Sequence, residues 1–169
     1  MRTHISIRAL LVTYTLANGC SIPSLKCYNA CDPRWAKTRF VSGTVCSNAL
    51  PILTNVASAL TAFGKTINGQ VATPDVLAQY ITSNGISIYD WSSNTMSRFG
   101  VGFELNVKSL EKVKAAICEG KVVILNGLML TSVLANGYED DHFTTINTYG
   151  KPATWDFRTF NSATIIWRV

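Results

Sequence analysis

Hydrophobic side chains recur at intervals of three and four residues in two stretches of the chain, a spacing that is typical of buried helices. The first stretch begins at Asn48 or later, carries Pro51 in its first turn and stops at Gly64. The second begins with Thr73 as a cap, followed by Pro74, and stops at Asn84–Gly85. We therefore expect one long helix and one shorter helix in the first half of the domain.

A third helix is predicted from Ser109, a capping residue, to Cys118, with Gly120 as its stop signal. A weaker polar pattern over residues 94–99 indicates a further short helix, and residues 101–106 have the composition of an extended segment. Helical signals therefore dominate the chain up to residue 120.

The pattern changes to strands after residue 120. In the run 121–125, four consecutive apolar residues follow Lys121, as in a fully buried strand. Three further strands are predicted over residues 143–148, 153–157 and 163–169. Residues 127–136 are apolar without a clear period, and we expect a loop that either folds over the core or lines a cleft. Helices followed by an antiparallel meander predict an α+β fold with the N-terminal helices packed on the sheet.

Charge divides the chain unevenly. Only 15% of the 169 residues are charged, and the net charge is +5. Residues 1–40 hold six basic residues against Asp32 alone, whereas residues 41–169 hold nine of each sign. We interpret residues 1–31 as a basic arm or leader and residues 32–169 as one domain, because 169 residues are the size of a single domain.

The basic arm has two interpretations. It can dock on an acidic partner, a membrane surface or nucleic acid. It can also be a solvated or export-related leader, because residues 9–17 are apolar and follow Arg2 and Arg8. That apolar run is too short to cross a membrane, so no transmembrane span is expected. We favour an arm that stays on the protein, and we expect no specific recognition of nucleic acid.

Five cysteines are an odd number, and three of them, Cys20, Cys27 and Cys31, lie within twelve residues. Pairing four of the five would leave one thiol free, as in an exported thiol enzyme. We expect the clustered three to supply at least one disulfide, Cys118 to be a small core residue, and Cys46 to stay free. The cysteine spacing fits no standard zinc site, and no metal or other cofactor is expected.

The most suggestive chemistry lies near the C-terminus. His142 opens a β-branched and aromatic run that ends in a Tyr–Gly turn, and Asp156 lies on the returning strand. In a hairpin these two residues can face each other, so that the carboxylate orients the imidazole. Cys46 is the strongest candidate nucleophile, because the N-terminus of the following helix would favour its thiolate.

Each of these three residues also has an ordinary structural interpretation. Cys46 can be a buried cysteine or a disulfide partner, His142 a satisfied strand histidine, and Asp156 a turn carboxylate. Taken together, in the order Cys, His, Asp, they favour a catalytic constellation.

Six motifs in the same order resemble the papain-like cysteine peptidases related to the bacteriocin-leader (double-glycine) processing domains, including stand-alone bacterial and phage forms. They are Asp32-Pro33-Arg34-Trp35-Ala36, Cys46 with its helix, Thr73-Pro74, Gly120-Lys121-Val122-Val123-Ile124, His142-Phe143 and Trp155-Asp156. The resemblance covers residues 32–169 and implies a papain-like fold.

The resemblance also implies site residues. Cys46 would be the nucleophile, His142 the base and acid, and Asp156 the residue that orients the ring. The family's oxyanion glutamine has no counterpart before Cys46, so a backbone amide of this loop would serve, assisted by Ser42 or Thr44.

The function expected on this basis is a cysteine peptidase or amidase that acts on a peptide or cell-envelope substrate through a thioester. The alternative is a degenerate papain-like domain that serves as a structural or binding module, for instance in a phage virion. An acyltransferase would use the same triad. An exported, cell-envelope or virion location is favoured over the cytoplasm.

Overall fold

The computed structural model describes residues 19–169 except residues 23, 41–42, 47–50, 88–90, 92 and 128–130. The helices of this described part are α1 (Pro51–Ala62), α2 (Pro74–Ser83), α3 (Ser93–Ser97), α4 (Leu110–Cys118) and a 3-10 helix (Phe157–Thr159). The strands are β1 (Gly19–Ser21), β2 (Arg39–Phe40), β3 (Gly43–Thr44), β4 (Thr66–Ile67), β5 (Gln70–Val71), β6 (Val101–Val107), β7 (Val122–Asn126), β8 (Ser132–Glu139), β9 (His142–Ile146), β10 (Pro152–Asp156) and β11 (Ser162–Arg168).

Local sequence signals explain the helix ends. Ser109 caps α4, because its side-chain oxygen accepts a hydrogen bond from the Lys112 N–H at 3.3 Å. Helix α2 has Pro74 in its first turn, where the missing N–H is not needed. Gly64 and Gly85 follow α1 and α2 with positive φ angles of 67° and 61°, the left-handed conformation that glycine adopts without strain.

The main sheet is antiparallel and has the strand order β10-β9-β8-β7-β11-β6, with β1 paired to β8. Strands β7 to β10 form an antiparallel meander that includes β8, which was predicted to be a loop. The last predicted strand, β11, does not continue this meander but lies between β7 and β6. Two hairpins of two-residue strands, β2–β3 and β4–β5, stand apart from this sheet. The α+β class is therefore confirmed, and the papain-like fold stays a prediction.

The central strand β7 is buried on both faces of the sheet. Successive residues of β7 alternate between two hydrophobic clusters: Val122 and Ile124 belong to the cluster with α1, α2 and α3, whereas Val123 and Leu125 belong to the cluster with α4. We call these the α1 face and the α4 face of the sheet. Water is excluded from both sides of β7, which is why residues 122–125 are apolar without alternation.

Part of the predicted loop at 127–136 is a strand. Residues 132–136 belong to β8, which pairs with β7 and β9, and Leu134 and Ala135 are fully buried. A bulge between Ala135 and Gly137 shifts the register, and this irregularity obscures the alternation in the sequence. Residues 128–130 of the predicted loop lie outside the described residues.

The predicted arm at residues 1–31 is not separate from the domain from residue 19 onward. Strand β1 pairs with β8, and Leu25 and Ala30 are buried in the α1-face cluster. The prediction that this part is an arm is wrong, because its few apolar residues fill places in the core. Residues 1–18 lie outside the described residues. Within the part of the chain that the structure describes, no helix is long and apolar enough to cross a membrane.

Candidate functional site

The hairpin β9–β10 brings His142 and Asp156 together. They are register partners at its open end, as the sequence predicts. The closed end is a turn at residues 147–151, in which the Asn147 side-chain oxygen accepts hydrogen bonds from the N–H groups of Tyr149 and Lys151. Gly150 has a φ angle of 75° there, a conformation that favours glycine.

The Asp156 carboxylate is hydrogen-bonded to Arg158. It accepts from the Arg158 guanidinium at 2.5 to 3.1 Å, and it caps the 3-10 helix by accepting from the Arg158 backbone N–H at 2.8 Å. These bonds lower the pKa of Asp156 from 3.8 to about 2, and the charge of His142 makes a smaller contribution in the same direction. The carboxylate opposite the exposed His142 is therefore already bound by Arg158.

The predicted nucleophile is not a free thiol. Cys46 forms a disulfide with Cys31, with 4.5 Å between their Cα atoms. The prediction of a free Cys46 is wrong because Asp32 to Thr38 form successive turns that bring the chain back, where the Cys46 N–H donates to the Ala36 carbonyl. A sulfur in a disulfide has no thiolate to attack a substrate.

Cys46 and His142 also lie at opposite ends of β9. Ala30, next to Cys31, donates its N–H to the Thr148 carbonyl at 2.7 Å, just beyond the C-terminal end of β9. His142 is the first residue of that strand, and β9 alone rises ~13 Å. The structure thus brings together two of the three predicted catalytic residues. Of the two oxyanion candidates, Thr44 pairs with Arg39 in the β2–β3 hairpin, and Ser42 lies outside the described residues.

The other cysteines also differ from expectation. Cys118 bonds to Cys20 across 98 residues and joins the end of α4 to β1, so it is not the small core residue that was predicted. The clustered cysteines do supply disulfides, one through Cys20 and one through Cys31. Cys27 is the free cysteine, and burial raises the pKa of its thiol to about 11. Among the described residues, no three His, Cys, Asp or Glu side chains could hold a metal ion together.

A cleft of about 440 Å³ lies at the end of the sheet where β7 turns into β8, and we call it the sheet-end cleft. The cleft forms where the chain passes from β10 to β11. The chain leaves β10 at Asp156 and crosses the α4 face of the sheet. It then reaches Ser162, which pairs with Asn126 at the other end of the sheet. The crossing residues 157–161 leave a gap beside the strand ends. Its described lining residues are Pro51, Gly127, Thr131, Ser132, Val133, Asn147, Thr148, Tyr149, Trp155, Thr159 and Phe160.

The described lining of the sheet-end cleft is mainly apolar and contains no Asp, Glu, Lys, Arg or His. Trp155 and Phe160 meet edge to face with their ring centroids 6.0 Å apart. Trp155 is nonetheless 40% exposed and Tyr149 is 55% exposed, which is unusual for such large aromatic residues. The cleft can therefore exclude water from an uncharged ligand and cannot neutralise a strongly charged one with its described residues.

Ser132 is a polar group in this apolar lining. It is buried, and its side-chain oxygen accepts a hydrogen bond of 3.1 Å from the Asn55 amide of α1. Asn55 is 2% exposed, so the pair joins the helix to the sheet behind the cleft. Such a convergence of apolar walls and a few fixed polar groups is typical of small-molecule sites.

The sequence signal for this cleft was partial. The apolar stretch 127–136 raised the expectation of a cleft, and Gly127 and Thr131–Val133 do line one. The aromatic residues were missed because Trp155 and Phe160 are far from that stretch in the sequence and are brought to it by the crossing segment. An exposed tryptophan on an edge strand was the available clue.

Comparison with known proteins gives no assignment. No family model matches the chain, and neither the curated proteins nor the solved structures contain a match.

Proposed function

We propose that this protein is a disulfide-stabilised binding module and that the sheet-end cleft is its ligand site. The observation that carries the proposal is the mainly apolar, uncharged cleft with partly exposed Trp155 at its wall. A volume of about 440 Å³ lies within the range of small-molecule pockets. This is the binding-module alternative of the sequence analysis, without its papain-like ancestry or virion location.

The disulfides support a stabilising role for the cysteines and an oxidising environment. Four of the five cysteines are paired, and the partly buried Cys27 has a raised pKa that makes its thiolate scarce. We propose that the domain works outside the reducing cytosol, as the low charge content also favours.

The Cys31–Cys46 bridge also supports the cleft. Ala30 beside Cys31 binds the backbone of Thr148, which lines the cleft. Cys46 lies five residues before Pro51, which also lines the cleft. The disulfide therefore ties together two segments that border the site, and this role accounts for Cys46 without catalysis.

A fluorescent probe tests the proposal. N-phenyl-1-naphthylamine is uncharged and apolar, and we expect it to bind the wild-type protein with an increase in emission. Thr159→Trp adds bulk at an exposed position of the cleft wall and should weaken this binding by at least about tenfold. Thr144→Trp is the matched control, because Thr144 is exposed in β9 outside the cleft lining, and it should bind as the wild type does. Absence of probe binding, or equal binding by both variants, would refute the proposal.

A second candidate is the cysteine peptidase or amidase of the sequence analysis. The pairing of His142 with Asp156 favours it. Its requirements are reduction of the Cys31–Cys46 bridge and a movement of Cys46 along the length of β9. Reduced protein whose Cys46 alkylates rapidly at pH 6, and more slowly after His142→Ala, would support this candidate over the binding module.

A further inference from the structure

We infer that Ser132 donates a hydrogen bond to the ligand of the sheet-end cleft, and that the ligand is therefore a small, uncharged, mainly apolar molecule with one oxygen acceptor. The inference rests on the proposed function, since it concerns the same cleft. It adds the chemical class of the ligand and a residue that selects it.

The Ser132–Asn55 pair fixes the direction of the hydroxyl group. A primary amide nitrogen only donates, so the Ser132 oxygen is the acceptor of the 3.1 Å bond from Asn55. The hydroxyl hydrogen cannot lie along that same bond and is left to donate elsewhere. Because Ser132 lines the cleft, an acceptor atom of a bound ligand can take this hydrogen.

Because Ser132 is buried, a hydrogen bond from its hydroxyl group would favour ligands that carry an acceptor atom. Ser132 is 6% exposed and Asn55 is 2% exposed, so water competes poorly for the hydroxyl once a ligand fills the cleft. A ligand without an acceptor would leave the donor unsatisfied, which penalises it relative to a ligand of the same shape that has one. The site therefore selects ligands by the presence of an acceptor atom as well as by their size.

The remaining lining restricts the acceptor to an uncharged one. Among the described lining residues there is no cation that could pair with a carboxylate or a phosphate. Burying such a group against Val133, Trp155 and Phe160 without a counter-charge is strongly unfavourable. A carbonyl, ether or hydroxyl oxygen is compatible with a single neutral donor.

Two matched compounds test the inference by displacing N-phenyl-1-naphthylamine. Butyrophenone carries a carbonyl oxygen on an apolar frame, and butylbenzene has nearly the same frame without an acceptor. The measured quantity is the ratio of their dissociation constants in each variant, so that changes in general hydrophobic affinity cancel. We expect Ser132→Ala to shift this ratio against butyrophenone by roughly three- to tenfold.

Two further variants make the result decisive. Thr159→Ala removes a hydroxyl from the cleft wall and should leave the ratio unchanged. Because Ser132→Ala strands the buried Asn55 amide, the double variant Asn55→Leu/Ser132→Ala removes both partners and should give the same shift in a more stable protein.

An unchanged ratio in both serine variants, or an equal shift in Thr159→Ala, would overturn the inference while leaving the proposed function intact. Failure of the wild type to bind N-phenyl-1-naphthylamine as well as both compounds would overturn the inference and the proposed function together.

Discussion

At the scale of single residues, the role predicted for Asp156 differs from the contacts that it makes in the structure. It was predicted to orient His142, and it does face that residue, but its carboxylate caps the 3-10 helix and binds Arg158. The crossing segment that begins with this helix forms a wall of the sheet-end cleft. Sequence reasoning found the hairpin partner and missed the local partner two residues away.

This role of Asp156 predicts a pH dependence. Its pKa is lowered in the folded protein from 3.8 to about 2, so the stabilisation is present above the unfolded value and is lost as the pH falls through the folded value. Asp156→Asn keeps a capping side chain but removes the charge. We expect its melting temperature to be lower than that of the wild type at pH 6 and to converge on it as the pH falls to 2 and below.

Arg158→Gln should reproduce that convergence, since it removes the other half of the same pair. A gap between wild type and Asp156→Asn that stays constant from pH 6 to pH 2 would show that the ion pair is not its cause.

Gly102 must be a glycine because the Trp167 side chain lies too close for a Cβ atom at this position. It faces Trp167 across the β6–β11 ladder, and a Cβ atom on Gly102 would come within 2.3 Å of the indole ring. Tryptophan thus covers the backbone of a strand glycine. We expect Gly102→Ala to reduce the free energy of unfolding by about 1–3 kcal/mol in urea titrations.

The reason for this loss can be isolated by a double-mutant cycle. In a Trp167→Leu background the side chain opposite residue 102 is smaller, so Gly102→Ala should leave the free energy of unfolding nearly unchanged. The same loss in both backgrounds would attribute the effect to the strand backbone instead of the indole ring.

At the scale of secondary structure, the sequence predicts long elements with strong end signals. Helix α4 begins after its capping residue Ser109, and the register of β9 with β10 is the predicted one. Helix α2 begins at the predicted Pro74, although the side chain of Thr73 before it makes no capping hydrogen bond. Strands β2 to β5 have two residues each, too few to express a period of two. Their existence depends on tertiary contacts that local patterns do not encode.

Disulfide connectivity is likewise a tertiary property. Five cysteines allow several pairings, and the sequence gives no reason to choose Cys20 with Cys118. The contact arises because β1 pairs with β8 and α4 packs on both strands, which puts the two Cα atoms 5.2 Å apart. The prediction of a free Cys46 failed for the same reason.

The Cys20–Cys118 bridge should contribute more to stability than the Cys31–Cys46 bridge, because it closes a loop of 98 residues and not 15. We expect Cys20→Ser/Cys118→Ser to lower the free energy of unfolding by about 2–5 kcal/mol in urea titrations. The matched variant is Cys31→Ser/Cys46→Ser, with a smaller loss. A neutral effect of the first pair of substitutions would contradict the integration of β1 into the domain.

At the scale of the whole molecule, the cleft depends on residues from four separate parts of the chain. Pro51 begins a helix, Gly127 and Thr131 lie between β7 and β8, Tyr149 lies in the hairpin turn, and Phe160 lies in the crossing segment. No motif with fixed spacing describes such a site. The order Cys46, His142, Asp156 was easier to recognise in the sequence than an uncharged cleft. The structure nevertheless assembles the cleft and separates Cys46 from His142.

The central claim is that Cys46 is a structural disulfide partner and that the functional surface lies elsewhere. The most direct measurement is alkylation of the unreduced protein with iodoacetamide, before and after unfolding in urea, followed by non-reducing peptide mapping. The account predicts that Cys46 is recovered bonded to Cys31 in both samples, and that Cys27 is the labelled cysteine, slowly in the folded protein and rapidly after unfolding. Rapid labelling of Cys46 in the folded, unreduced protein near pH 6 would contradict it.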